Sequence, residues 1–234
     1  MPPERNIVEP WLQAETKRLL HTVDTFRHCD LSEGSSLPGW SLGHLLTHIA
    51  RNADALGHLL SWARTGVETP MYQSAQQRED DINLGAERPA GVIVADVLDS
   101  AERLKSAAAQ LATADWANEV VTGQGRTIPA AQVPWLRLRE VTLHHVDLGA
   151  SIEDLPAELV CALLDNVVVS TRGKADWPAM RIEVDGTASA IVDFGTGRTV
   201  RGAPAQLLAW LTGRSSGSGL VSSPAGLPTL SAWL

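Results

Sequence analysis

The residues best placed to do chemistry fall into two pairs. Glu140 and His144 stand four positions apart. At about 3.6 residues per turn this sets a carboxylate and an imidazole on one helix face, one above the other. Such a pair can clip a metal ion. His44 and His48 share the spacing, and His48 sits among Leu45, Leu46 and Ile49, toward the apolar face of its own segment. Each pair alone has an ordinary explanation. Glu-x-x-x-His also occurs as a surface pair, and a single imidazole on an apolar face is commonly a core histidine with one hydrogen bond. Two helices that each send donors inward are how bundle cores assemble metal sites. His48, Glu140 and His144 together would suit zinc, and three protein donors leave a fourth position open, as in catalytic zinc sites. The residues alone leave both explanations standing. His44 is a candidate for a group that supports a ligand, whereas His145 and Asp147 are expected to face other directions. His21, His28 and His58 show no partner pattern and are expected to be structural.

These residues need helices to carry them, and the first 150 positions supply four. Apolar spacing at threes and fours predicts helices over residues 8–26, from an N-cap at Ser41 to residue 63, over 91–112 and over 133–148, the last closed by Gly149. Residues 66–85, with Gly66, Pro70, a polar run through Asp81 and Gly85, are expected to form a loop, and Thr122 to Arg126 a turn between short extended pieces. Four amphipathic helices imply a bundle. After residue 150 the pattern changes. A helix is expected from Pro156 to about Val169, followed by a break over residues 174–178. Two short alternating runs at 180–184 and 189–193 then flank Asp185-Gly186 as a β-hairpin, with a helix over 203–211. Ser215 to Gly219 resembles a flexible linker, and the remaining tail is expected over the surface. The expectation is an α+β chain: a metal-binding four-helix bundle over 1–150 and a small α+β domain over 151–234.

Composition narrows the function classes. The net charge of −8 disfavours nucleic acid, which needs a basic surface, and an anionic membrane surface likewise. No apolar run is long enough to span a bilayer, and the opening residues lack a secretory pattern. Cys29 and Cys161 form no CxxC motif and read as reduced thiols of a cytoplasmic protein. Eight tryptophans stand against two phenylalanines and one tyrosine, and packing is their expected use. No G-x-S-x-G elbow, P-loop or G-x-G-x-x-G is present, so any thiol chemistry is expected to use a thiol from outside the chain.

Four stretches carry a family resemblance. Trp40-Ser-Leu-Gly-His-Leu-Leu-Thr-His-Ile-Ala-Arg-Asn-Ala53 resembles the second-helix motif of the mycothiol-dependent maleylpyruvate isomerases, members of the DinB-like metal-binding bundle superfamily. Trp62-Ala-Arg-Thr-Gly-Val-Glu-Thr-Pro-Met-Tyr72, Gln124-Gly-Arg-Thr-Ile-Pro129 and Arg139-Glu-Val-Thr-Leu-His-His-Val-Asp-Leu-Gly-Ala150 are similar to the isomerase branch in particular. The likeness spans the N-terminal domain and is looser beyond it. It implies zinc on His48, Glu140 and His144, mycothiol as thiol cofactor, and an essential arginine from the C-terminal domain. The best match for that arginine is Arg214, in Leu207-Leu-Ala-Trp-Leu-Thr-Gly-Arg214; on the residues alone Arg214 reads as a helix-end cation favoured by the dipole. The implied reaction converts maleylpyruvate to fumarylpyruvate in gentisate-type aromatic breakdown. Thiolate addition would turn the C=C bond into a single bond that rotates before the thiol leaves. Arg214 would hold a substrate carboxylate, with Arg78 and Arg126 as further candidates. A thiol S-transferase acting on another electrophile, and a non-enzymatic zinc and thiol binder, are the alternatives. A monomer is expected.

Overall fold

The computed structural model describes residues 2–172, 174, 176–186, 191–193 and 197–231. The chain divides into two compact units, Pro3–Gly149 and one formed from Ala150–Leu234.

The first unit contains five helices: α1 (Arg5–Asp24), α2 (Leu42–Thr65), α3 (Ala75–Ala86), α4 (Ala90–Ala109) and α5 (Val133–Asp147). Helix α2 begins at a capping box in which the Ser41 hydroxyl accepts from the His44 amide and His44 Nδ1 accepts from the Ser41 amide, both at 3.3 Å. It ends at Gly66, whose φ of +73° is the left-handed C-cap that glycine adopts without strain. One core joins Leu19 and Val23 of α1, Leu45, Leu46 and Ile49 of α2, Ile93, Val94 and Val97 of α4, and Val141 of α5. A second gathers Leu56, Leu59 and Leu60 with Trp116, Val120, Ile128 and Val133. There a short antiparallel ribbon of β1 (Glu119–Val121) and β2 (Thr127–Pro129) closes the end of the bundle.

Helix α3 departs from the sequence expectation, which made this stretch a loop. Ser74 caps it by accepting from the Gln77 amide at 3.0 Å. Gln76 and Gln77 then donate to Asp80 and Asp81, one turn on, at 2.9 and 2.8 Å. Only Ile82 and Gly85 are buried along α3, so its apolar periodicity is too sparse to stand out. Gly85 is a packing residue and not a breaker: a β-carbon there would overlap Thr47 Cγ2 of α2. At the start of α2, a β-carbon on Gly43 would lie 2.7 Å from the Ala86 carbonyl oxygen. Glycine on both sides lets α3 lie close against α2.

The second unit contains α6 (Ala157–Thr171), α7 (Pro204–Leu211) and a four-stranded sheet in the order β4-β3-β5-β6. Strand β3 (Arg181–Val184) pairs antiparallel with β4 (Ile191–Asp193), as the expected hairpin requires. Asp185 and Gly186 begin the turn, and residues 187–190, including Ser189 and Ala190 of the expected second run, lie outside the described residues. Strand β5 (Thr199–Gly202) runs parallel to β3, and β6 (Val221–Ser223) antiparallel to β5; neither is evident in the sequence. Residues 215–219 are not a flexible linker, because a β-carbon on Gly217 would overlap Leu227 Cδ1 and touch Trp210 Cδ1 at 3.0 Å. Leu159, Leu163 and Val167 of α6, Ile182, Val200, and Leu207 and Leu208 of α7 are fully buried. Among the described residues no helix is long and apolar enough to cross a membrane.

Candidate metal centre

Helices α2 and α5 bring together the three residues singled out by spacing. His48 Nε2 lies 3.0 Å from Glu140 Oε2 and 3.1 Å from His144 Nε2, and His144 Nε2 lies 3.4 Å from the same Glu140 oxygen. The two imidazole rings meet edge to face. Donors held about 2.0–2.1 Å from a tetrahedral zinc ion stand roughly 3.4 Å apart. The triangle formed here therefore fits that ion after an opening of a few tenths of an ångström. All three side chains are largely buried, which favours a cation that replaces their hydration.

Hydrogen bonding fixes which ring nitrogens face the centre. His144 Nδ1 donates to Asp147 Oδ2 at 2.8 Å, and the Asp147 side chain is 1% exposed. That bond places the ring proton on Nδ1 and presents the Nε2 lone pair to the centre, the arrangement typical of metal-bound histidine. Asp147 was expected to point elsewhere; three residues beyond His144 on the same helix, it is instead a face neighbour. Ser36 Oγ holds the carboxylate from the other side at 3.2 Å. At His48, Arg78 Nη2 of α3 donates to Nδ1 at 3.2 Å, so a neutral ring carries its proton on Nε2. With both rings neutral, the Nε2–H of His48 is the proton that faces Glu140 and His144.

The protonation preferences follow. Burial alone would raise the Glu140 carboxyl, but the hydrogen bonds and charge of His144 and His48 outweigh it and hold it well below the usual carboxylate range. Burial disfavours a charged His144, yet Asp147 and Glu140 overcome that and raise it. His48 is lowered, chiefly by burial. The result is an anionic carboxylate beside one readily charged and one reluctant imidazole, a donor set arranged to accept positive charge.

Other residues frame the site. The Trp40 ring lies 5.3 Å from the His48 ring and also stacks on His44. Trp116 and Trp135 are buried core residues, and Trp40 packs partly buried against the first core as well as against His48. His44 is occupied in capping α2, its Nδ1 2.7 Å from Ser41 Oγ. His145 turns away to bond Thr22 Oγ1 at 2.8 Å, and His58 approaches the Met71 carbonyl at 3.4 Å. Tyr72 lies against the Arg78 guanidinium, 5.7 Å from ring centre to Cζ. Arg126 is exposed in the β1–β2 turn. In the second unit, Arg214 follows α7 and donates from Nη1 to the Thr212 carbonyl at 2.7 Å. Arg137 of α5, which nothing in the sequence flagged, is 2% exposed and donates to α2.

A helical bundle that converges His, Glu and His donors from two of its helices offers a site that could hold a metal ion. Residues 12–149 match the model of the mycothiol maleylpyruvate isomerase N-terminal domain. Over 99% of this chain and 98% of the other, the fold superposes with a TM-score of 0.92 and 29% identity on the crystal structure of a mycothiol-dependent maleylpyruvate isomerase. A histidine-to-alanine mutant of a mycothiol-dependent maleylpyruvate isomerase gives the same values. No curated protein sequence matches the chain. The chain belongs to the mycothiol maleylpyruvate isomerase family.

Proposed function

We propose that this protein holds a zinc ion on His48, Glu140 and His144 and, with mycothiol, converts maleylpyruvate to fumarylpyruvate. The observation that carries the metal site is the triangle of donor atoms at 3.0, 3.1 and 3.4 Å, drawn from two helices and oriented by Asp147. Family membership and the 29% identical isomerase structure support the reaction.

When bound, zinc would keep the cofactor thiol as a thiolate at neutral pH, the nucleophile whose addition and departure let a C=C bond turn. The chain's own residues do the rest. Asp147 keeps the His144 proton on Nδ1, away from the centre. His48, as a ligand through Nε2, would carry its ring proton on Nδ1. Arg78 has only donors and can no longer bond there. Its guanidinium, which also lies against Tyr72, would then turn to a carboxylate, which it matches in bidentate fashion. Arg214 is proposed to bind a substrate carboxylate as well, on the strength of the sequence likeness at residues 207–214. With a net charge of −8, an anionic substrate depends on such local arginines. We place the protein in the cytoplasm, where Cys29 and Cys161 would stay reduced, as a monomer in gentisate-type aromatic breakdown and without nucleic-acid partners.

The test is the ultraviolet decay of maleylpyruvate with zinc-loaded protein, with and without mycothiol. Fast, thiol-dependent loss yielding fumarylpyruvate is expected. Stoichiometric zinc and bound thiol without turnover would replace the isomerase with an S-transferase for another electrophile, and thiol binding with no electrophile turned over would leave a binding protein.

A further inference from the structure

Arg137 is a buried cation that the proposed chemistry does not use. It sits on α5 three residues before Glu140, and its side chain crosses to α2. There Nη1 donates at 2.9 Å to the carbonyl of Ile49 and at 2.9 Å to Oδ1 of Asn52. Ile49 adjoins His48 in sequence, and Asn52, itself 6% exposed, stands one turn beyond His48. The two helices therefore carry two cross-ties a turn apart, the three metal-type donors and the Arg137 bonds.

We propose that Arg137 is a positioning residue for the metal centre, clamping α5 to α2 so that His48 meets the Glu140–His144 pair at ligand spacing. The inference rests on the metal site of the preceding section. Burying a guanidinium is costly, and an apolar side chain of similar size would pack the same space without that cost. Packing alone thus does not account for an arginine here. Its bonds are directional and reach the turn of α2 that presents His48. Burial lowers its pKa to about 10, opposed first by the charge of Glu140, so it stays cationic at neutral pH beside the carboxylate that completes the triangle. Nη1 makes both bonds, and Nη2 has no hydrogen-bond partner among the described residues. A lysine ammonium can therefore restore both tie and charge.

The experiment uses the full chain with Arg137→Met, Arg137→Lys and Asn52→Ala. It reads zinc affinity by chelator competition, the visible absorption of the cobalt(II)-substituted protein, and urea unfolding of the metal-free form. Arg137→Met is expected to weaken zinc about 10- to 100-fold, the usual loss when a group supporting the ligands is removed, and to alter the cobalt spectrum. Arg137→Lys should recover most of both. Asn52→Ala keeps the charge and should move both readouts in the same direction by less. A folded Arg137→Met protein with wild-type zinc affinity and cobalt spectrum overturns the clamp. So does tighter zinc, the result expected if Arg137 acted only as a repelling charge. Should Arg137→Met fail to fold, Asn52→Ala decides, and wild-type affinity and spectrum there also overturn the clamp. Failure of the metal site itself looks different: the wild-type protein would bind no zinc, or His48→Ala would bind it equally well.

Discussion

Replacing Asp147 tests how far the metal centre depends on a residue outside the donor triangle. Its Oδ2 accepts from His144 Nδ1 at 2.8 Å, and its side chain is 1% exposed, so the bond is shielded from bulk solvent. A hydrogen bond to a charged group is worth about 1.5–3 kcal/mol. Loss of a carboxylate behind a metal-bound histidine commonly costs about 10- to 100-fold in affinity, or about 1.4–2.8 kcal/mol. The two ranges agree. In Asp147→Asn the side-chain oxygen can still accept from Nδ1 while the amide nitrogen faces Ser36 Oγ, so the loss is expected near tenfold. In Asp147→Ala the Nδ1–H is left buried without a partner, and the loss should approach a hundredfold. Competition of each variant against a chromophoric chelator for zinc at neutral pH measures the order. Acidification should narrow the gap. Asp147 helps to raise His144, so wild-type protein meets proton competition at a higher pH than the Asn variant does. Wild-type affinity in both variants, with zinc still lost in His48→Ala, would refute the role given to Asp147.

His48→Ala should abolish stoichiometric zinc binding, measured by metal analysis after dialysis, while circular dichroism stays native; retained zinc would remove His48 from the ligand set. Zinc affinity should fall on acidification from above pH 6.5, the ordinary histidine value, because His144 is raised and must lose its proton to bind. The sign reverses for metal-free stability. There the His144 contribution is complete below its unfolded value and fades as pH rises through the raised folded one, so urea midpoints followed across that window should decline. Gly85→Ala should cost about 1–3 kcal/mol through overlap with Thr47 Cγ2. The cost should shrink in a Thr47→Ser background, and an equal cost in both would show that the contact is not the cause. Arg214→Ala should leave zinc bound and abolish maleylpyruvate turnover, whereas normal turnover would return Arg214 to a helix-end role.

Which parts of the molecule could be read from the sequence follows from how local each signal is. Helices α2 and α5 have dense apolar periodicity and clear ends at Ser41, Gly66 and Gly149, so their existence, and the faces carrying His48, Glu140 and His144, follow from spacing. Asp147 obeys the same local geometry. It stands at i+3 from His144, and the i,i+3 relation that places Asp147 against Nδ1 was the available signal. Helix α3 is different. Its stability comes from a cap, two Gln–Asp pairs and close contact through Gly85 and Gly43, and glycine in a polar run gives the same signature as a loop. Because α3 carries Arg78, misreading it as a loop also hides how Arg78 reaches His48. Strands β5 and β6 are three to four residues long and are defined by pairing partners distant in sequence, so no local pattern marks them. Arg137 is the extreme case. An arginine on a helix that also carries Arg139, Glu140 and Asp147 reads as one more surface charge, and only the three-dimensional approach of Ile49 and Asn52 shows that it is buried. The donors are legible because a helix makes their geometry periodic; the groups that hold them at ligand distance belong to the contact between helices, which periodicity does not encode.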